Sequence, residues 1–198
     1  MDDAPPSAPP PAPHWSEPLR ARPVLVAACC VVVCGLLVWR IGLRPDLPAF
    51  LYLGVVGVAL GVIDAAIQRL PDPLTLPSYG IVAALLGVAA FFTDDGGARF
   101  LHALIGMAAL YAWFALQVMF LPVGAMYAGD AKLGGVLGLG LGWLGWQAWV
   151  LGLVATVFLA GIAGVVLLAA RRAGRKSQFP YGPYMLLGSL IAILLHAS

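Results

Sequence analysis

The chain has 198 residues, of which 62% are hydrophobic and 10% carry a charge, and its formal net charge is +2. Soluble domains carry about 25% charged residues, so this composition excludes an ordinary soluble domain and indicates a membrane protein with several spans. The basic residues form no dense block, so we expect no nucleic-acid partner.

The N-terminal segment differs from the rest of the chain. Residues 1–22 are rich in proline and have too few apolar side chains to form a core, so we predict a disordered tail. Arg20 and Arg22 then precede a long apolar stretch, which superficially resembles a signal peptide. Only residues 23–26 would form the apolar region before the cleavage-like sequence "VAAC", and the apolar run continues beyond it. A retained first membrane-spanning helix is therefore predicted.

Apolar windows of about 20 residues predict seven membrane-spanning helices, so the predicted fold class is an all-α polytopic transmembrane bundle. The predicted spans lie near residues 23–39, 49–67, 77–93, 100–121, 132–146, 148–170 and 183–197.

The basic residues predict the orientation of these spans. Seven spans place the N-terminal tail and the loops after spans 2, 4 and 6 on one side of the membrane. That side holds eight basic residues, and the other side holds three. The positive-inside rule therefore makes the first side cytoplasmic. The eight are Arg20, Arg22, Arg69, Lys132, Arg171, Arg172, Arg175 and Lys176, and the three are Arg40, Arg44 and Arg99.

Two aspartates lie at the predicted cytoplasmic edge of the membrane. Asp64 is near the end of span 2, and Asp130 begins span 5. A charged group at mid-helix costs roughly 2.5–3.5 kcal/mol, so intramembrane acids usually indicate function. Each aspartate is in line with a stripe of small residues that allows close helix packing. These stripes are Gly54, Gly57 and Gly61 before Asp64, and Gly134, Gly138 and Gly142 after Asp130.

Such packing would bring the two carboxyl groups together. Two carboxyl groups that share a site do not both ionise easily, so one holds a proton while the other stays charged. The charged member can take a proton from water, and the protonated member can donate to a peptide carbonyl oxygen. A solvated aspartate at a helix N-terminus is the alternative, and spacing alone leaves both interpretations open.

Three ordered stretches carry a more specific pattern. The first is "GVIDAAIQRLPDPLTLP" at residues 61–77, with Asp64 followed by a Leu-Pro-Asp turn. The second is "YAGDAKLGGVLGLGLGW" at residues 127–143, with Asp130 ahead of a glycine-rich helix. The third is "PYGPYMLLGSL" at residues 180–190, which opens the last predicted span. Together they resemble the prepilin peptidase family, which are membrane aspartyl proteases of the GxGD type.

The resemblance implies a six-span peptidase core at residues 49–198, preceded by an additional helix and loop at residues 23–48. It implies that Asp64 and Asp130 are the catalytic pair. The expected partners are pilin or pseudopilin precursors, cut on the cytoplasmic side just before their hydrophobic helix and typically after a glycine, together with membrane lipids. The expected location is the bacterial inner membrane, with the N-terminus and the site facing the cytoplasm. We expect no metal and no cofactor, and the sequence does not indicate an oligomeric state.

Four further residues are predicted to bind substrate or shape the site: Pro71, Asp72, Gly129 and Lys132. Asp72 competes with Asp64 for the catalytic role, but Asp-Pro after Leu-Pro is typical of a turn that caps the next span. Lys132 would either lower the pKa of Asp130 or extend to the membrane interface.

The sequence departs from the family pattern at two points. Tyr127 replaces the first glycine of GxGD. The resemblance associates N-methyltransferase activity with an insertion that contains Cys-x-x-Cys pairs, and no such pair occurs in this sequence. A short form without N-methyltransferase activity is therefore expected. Cys29, Cys30 and Cys34 lie within the first span, where thiols usually act as small apolar residues.

Two other functions stay open: a small proton-coupled transporter that uses one of the aspartates, and an inactive scaffold of a secretion system. Trp143, Trp146 and Trp149 fit an interfacial aromatic belt.

Overall fold

The computed structural model describes residues 14–120, 128–169 and 180–197, and within these residues every regular element is a helix. This confirms the predicted all-α bundle. The helices are α1 (Glu17–Ala21), α2 (Pro23–Ile41), α3 (Leu47–Ile67), α4 (Asp72–Ala90), α5 (Gly96–Phe120), α6 (Ala128–Leu144), α7 (Trp146–Ala169) and α8 (Gly182–His196).

The helices from α2 to α8 correspond to the seven predicted spans, with ends that differ by a few residues. Helices α2, α3, α4 and α5 and the Trp146–Leu167 part of α7 are long and apolar enough to cross a membrane. Helix α8 is a shorter apolar helix of 15 residues, and α6 has 17 residues. The chain is therefore a multi-pass membrane protein with a polytopic helical bundle.

Helix α6 lies at the centre of this bundle. It contacts α3, α4, α5, α7 and α8, and nearly every residue from Asp130 to Trp143 is buried. A Cβ on Gly138 would lie 2.4 Å from the carbonyl oxygen of Gly106, and a Cβ on Gly142 would lie 2.4 Å from that of His102. Only glycine lets α5 and α6 approach so closely. The predicted packing stripe of α6 is therefore confirmed.

The glycines of α3 have a similar role. A Cβ on Gly57 or Gly61 would lie 3.0 or 3.1 Å from the side chain of Leu186 in α8. Gly54 instead faces α2, where its Cβ would lie 2.9 Å from Leu37. Helix α3 thus packs on both α2 and α8, and its C-terminal end reaches the start of α8.

A buried aspartate that the sequence analysis did not single out lies at the opposite end of the bundle. Asp46, just before α3, is 2% exposed and receives hydrogen bonds from Arg44 (2.6 and 3.2 Å) and from Trp143 Nε1 (2.9 Å). Trp149 is also buried, and its Nε1 donates to the Gly106 carbonyl at 3.0 Å. The indole N–H groups of both tryptophans thus have partners inside the bundle, whereas Trp146 is exposed. The interfacial belt stays a prediction.

The predicted disordered tail extended to residue 22, whereas Glu17–Ala21 form the short helix α1. Residues 1–13, the departure at Tyr127 and the basic cluster of Arg171, Arg172, Arg175 and Lys176 lie outside the described residues. The division into tail, additional helix and six-helix core stays a prediction.

Candidate active site

Asp64 is located three residues before the end of α3 and is 4% exposed. The helix ends at Ile67, and the C-cap residue Gln68 has a left-handed conformation (φ 52°) and donates its backbone N–H to the Asp64 carbonyl at 2.9 Å. The Asp64 side chain points to α8, where its Oδ2 accepts a hydrogen bond from the Gly182 backbone N–H at 3.0 Å. A Cβ on Gly182 would lie 2.7 Å from the same oxygen. A side chain at position 182 would therefore displace the Asp64 carboxyl group.

Asp130 is the third residue of α6 and is 3% exposed. It lies close enough to Tyr181 to act on it electrostatically: burial and the negative charge of Asp130 together raise the pKa of Tyr181 to about 12. Tyr181 therefore stays protonated at neutral pH. Its ring packs edge-on against Phe114, with 6.0 Å between the ring centroids.

The start of α8 is thus near both aspartates. Gly182 binds Asp64, and the residue before it, Tyr181, is within electrostatic reach of Asp130, so both acids are at the same end of the bundle. The segment at residues 180–190 was indicated by the sequence only through the family resemblance, which gives no role to Tyr181 or Gly182. The available signal was a glycine between two prolines in the third motif, close to the start of a span.

Lys132 and Asp72 form an ion pair, with 2.6 Å between Lys132 Nζ and Asp72 Oδ1. The ammonium group is thus held by Asp72, a partner that the sequence did not indicate, and the two predicted roles of Lys132 stay predictions. Asp72 is the first residue of α4, and Pro71 is the N-cap without a side-chain capping bond. The predicted capping role of Asp72 is therefore wrong, and this carboxylate instead ties the start of α4 to the first turn of α6.

Two glycines of α6 allow the first and second motifs to meet. A Cβ on Gly129 would lie 3.0 Å from Leu70 Cβ, so the turn before α4 packs directly on the start of α6. The Tyr79 hydroxyl donates to the Lys132 carbonyl at 2.7 Å, and a Cβ on Gly135 would lie 2.1 Å from that hydroxyl. These contacts, together with the ion pair, fix the position of the α6 turn that carries Asp130.

Comparisons with known proteins identify the family of the chain. A family model described as the type IV leader peptidase family matches residues 50–169. The chain is 31% identical over 172 residues to the prepilin leader peptidase/N-methyltransferase of Pseudomonas aeruginosa, and 29% identical over 178 residues to the protein of that name from Stutzerimonas stutzeri.

These alignments cover 86% and 89% of this chain, but 57% and 59% of the two relatives. The chain therefore spans less than two thirds of the length of the curated relatives that it matches. No solved structure matches the chain significantly.

Proposed function

Because the chain belongs to the type IV leader peptidase family, we propose that it is an aspartyl endopeptidase that removes the leader from prepilin-type precursors. Asp64 and Asp130 are the proposed catalytic pair. The observation that carries this proposal is that two buried acids lie at the same end of the bundle, near the start of α8: Gly182 binds Asp64, the charge of Asp130 acts on the preceding residue Tyr181, and the turn after Asp64 packs on the start of α6 at Gly129.

In the proposed mechanism the pair shares one proton. The charged carboxylate takes a proton from a water molecule, and the water oxygen attacks the carbonyl carbon of the scissile peptide bond. The protonated carboxyl group donates its proton to the carbonyl oxygen, which gives a tetrahedral intermediate. The C–N bond then breaks as the leaving amine receives a proton from the first carboxyl group, and one hydroxyl of the intermediate returns its proton to the second carboxylate, which restores the starting pair. The hydrogen bond from Gly182 fixes the orientation of the Asp64 carboxyl group throughout.

We propose that cleavage takes place on the cytoplasmic side of the bacterial inner membrane. The support is the excess of basic residues on the side of the aspartates, eight against three in the sequence. We also propose that the chain lacks N-methyltransferase activity. Only five residues separate α2 from α3, which is too short for the cysteine-containing insertion that the resemblance associates with that activity.

Co-expression with a pilin precursor, followed by separation of the precursor and its product on a gel, tests the proposal. We expect Asp64→Asn and Asp130→Asn each to lower cleavage by about 10²–10⁴-fold, because an amide neither gives up nor accepts the proton. Asp72→Asn is the matched control, since it removes an acid at the same end of the bundle that is 55% exposed and bound to Lys132.

Normal cleavage by either Asp64→Asn or Asp130→Asn contradicts the assigned pair. Loss of cleavage in Asp72→Asn with full activity in Asp64→Asn would move the catalytic role to Asp72. If the correctly folded native chain cleaves no precursor, the result would instead favour an inactive scaffold of a secretion system.

A further inference from the structure

A long apolar groove of about 720 Å³ lies between α2, α3 and α8, with α1 at one end. Along α3 it extends from Phe50 to Ile67. One end of the groove lies near the candidate active site, because its lining includes Ala65 and Pro183, the residues that follow Asp64 and Gly182 in the chain. Its lining therefore begins one residue from each partner of the Asp64 hydrogen bond.

The length of the groove indicates what kind of molecule fits it. The α3 residues from Phe50 to Ile67 span about 25 Å at a rise of 1.5 Å per residue. The hydrocarbon core of a membrane is about 30 Å thick, so a lipid chain from one leaflet would reach only about 15 Å. A helix that crosses the membrane matches the groove better than a single lipid.

The volume and the charges agree with a helix. A helix about 10 Å wide and 25 Å long occupies roughly 2,000 Å³, so the groove would hold about a third of it and leave the rest facing lipid. The charged residues of the lining are Glu17 and Arg22. They belong to the segment around α1, at the end next to Asp64, where a bound chain would leave the hydrocarbon.

We propose that this groove binds the apolar helix that follows the cleavage site of the precursor. The inference rests on the proposed function and adds the place where the substrate docks. A helix that lies along α3 and α8 with its N-terminus beside Ala65 and Pro183 presents the preceding peptide bond to Asp64. The groove therefore sets the position of the cut relative to the start of the apolar helix.

Site-specific photo-crosslinking tests this docking site. The probe is a precursor made of a short leader ending in glycine and an apolar helix of about 20 residues, the length that spans a membrane. The crosslinker p-benzoylphenylalanine replaces Leu187, a half-exposed groove residue, in an Asp130→Asn chain that leaves the precursor intact. Val165 in α7 is the matched control, because it is 70% exposed, outside the groove, and a similar distance from the end of its helix.

We expect the precursor to be cross-linked at Leu187 and not at Val165. Three outcomes overturn the inference. They are equal cross-linking at both positions, no cross-linking at Leu187, and cross-linking at Leu187 only to lipid or to a second copy of the chain. The chain with native aspartates is assayed in parallel on the same precursor. Cleavage without the Leu187 cross-link refutes the groove alone, whereas absence of cleavage contradicts the proposed function.

A kinetic test uses a side chain that fills the groove. We expect Leu187→Trp to raise KM about tenfold with little change in kcat, because it obstructs substrate binding away from the reacting groups. Val165→Trp is expected to leave both constants unchanged. An unchanged KM in folded Leu187→Trp would overturn the inference.

Discussion

Gly182→Ala tests the link between α8 and the proposed catalytic pair. The new Cβ would lie 2.7 Å from Asp64 Oδ2 and 3.1 Å from its Cγ, whereas ordinary contacts begin at 3.4 Å. The carboxyl group must therefore move by roughly 0.7 Å, and its 3.0 Å hydrogen bond from the backbone N–H of residue 182 must lengthen or break. The substitution introduces a single methyl group and leaves both aspartates in place.

Two independent estimates give the size of the effect. Misplacement of a catalytic group by about 1 Å costs about 10²-fold in rate. Loss of a hydrogen bond to a charged group costs about 1.5–3 kcal/mol, which is about 10–150-fold. We therefore expect Gly182→Ala to lower kcat/KM by about 10–100-fold, with most of the loss in kcat.

The assay is cleavage of a pilin precursor by the purified chain in proteoliposomes, with kcat and KM determined separately. Gly161→Ala in α7 is the matched control, because a Cβ at this position meets nothing within 4 Å. Wild-type kcat in a folded Gly182→Ala chain would refute the role assigned to the hydrogen bond between Gly182 and Asp64.

Three further predictions concern the surroundings of the site and the bundle. An ion pair as exposed as that between Asp72 and Lys132 contributes about 0–1 kcal/mol to stability. Lys132→Gln should therefore lower the melting temperature only slightly, and the decrease should be smaller in high salt. A large decrease in the melting temperature would contradict this. Burial alone would raise the pKa of Asp46, but hydrogen bonds and the charge of a neighbouring arginine lower it below 3.8. This stabilisation is fully present above about pH 4 and is lost as the pH falls through the lower folded-state pKa, so melting curves of Asp46→Asn should show a weaker acid dependence than those of the native chain. Gly138→Ala places a Cβ 2.4 Å from the Gly106 carbonyl and should destabilise the bundle by about 1–3 kcal/mol, measured as a lower melting temperature; an unchanged value would show that α5 and α6 can separate without cost.

The helices and their packing faces could be predicted from the sequence, because both depend on local patterns. Apolar windows gave seven spans, which correspond to the helices from α2 to α8. The glycine stripes correctly indicated close packing, as at Gly138 against α5 and Gly61 against α8. Asp64 and Asp130 were expected at one edge of the membrane, which stays a prediction, and the structure places both near the start of α8.

The pairings between distant polar groups could not be predicted in the same way. Lys132 contacts Asp72 because α4 and α6 begin side by side, and their 60-residue separation in the chain carries no sign of this. Trp143 is of a residue type that is enriched at membrane interfaces, and its indole N–H binds Asp46, which is 97 residues away in the chain. In both cases the partner is determined by how helices associate, which a single sequence pattern does not specify.

The burial of α6 has a consequence for the biosynthesis of the protein. This helix has 17 residues, six of them glycine, and two charged side chains in its first turns, so it offers a weak signal to the insertion machinery by itself. Its glycines fit the backbone of α5 and would expose polar peptide groups if they faced lipid. We expect α5 and α6 to enter the membrane together as a hairpin, so that defects at their contact reduce the yield of integrated protein before any folded molecule exists.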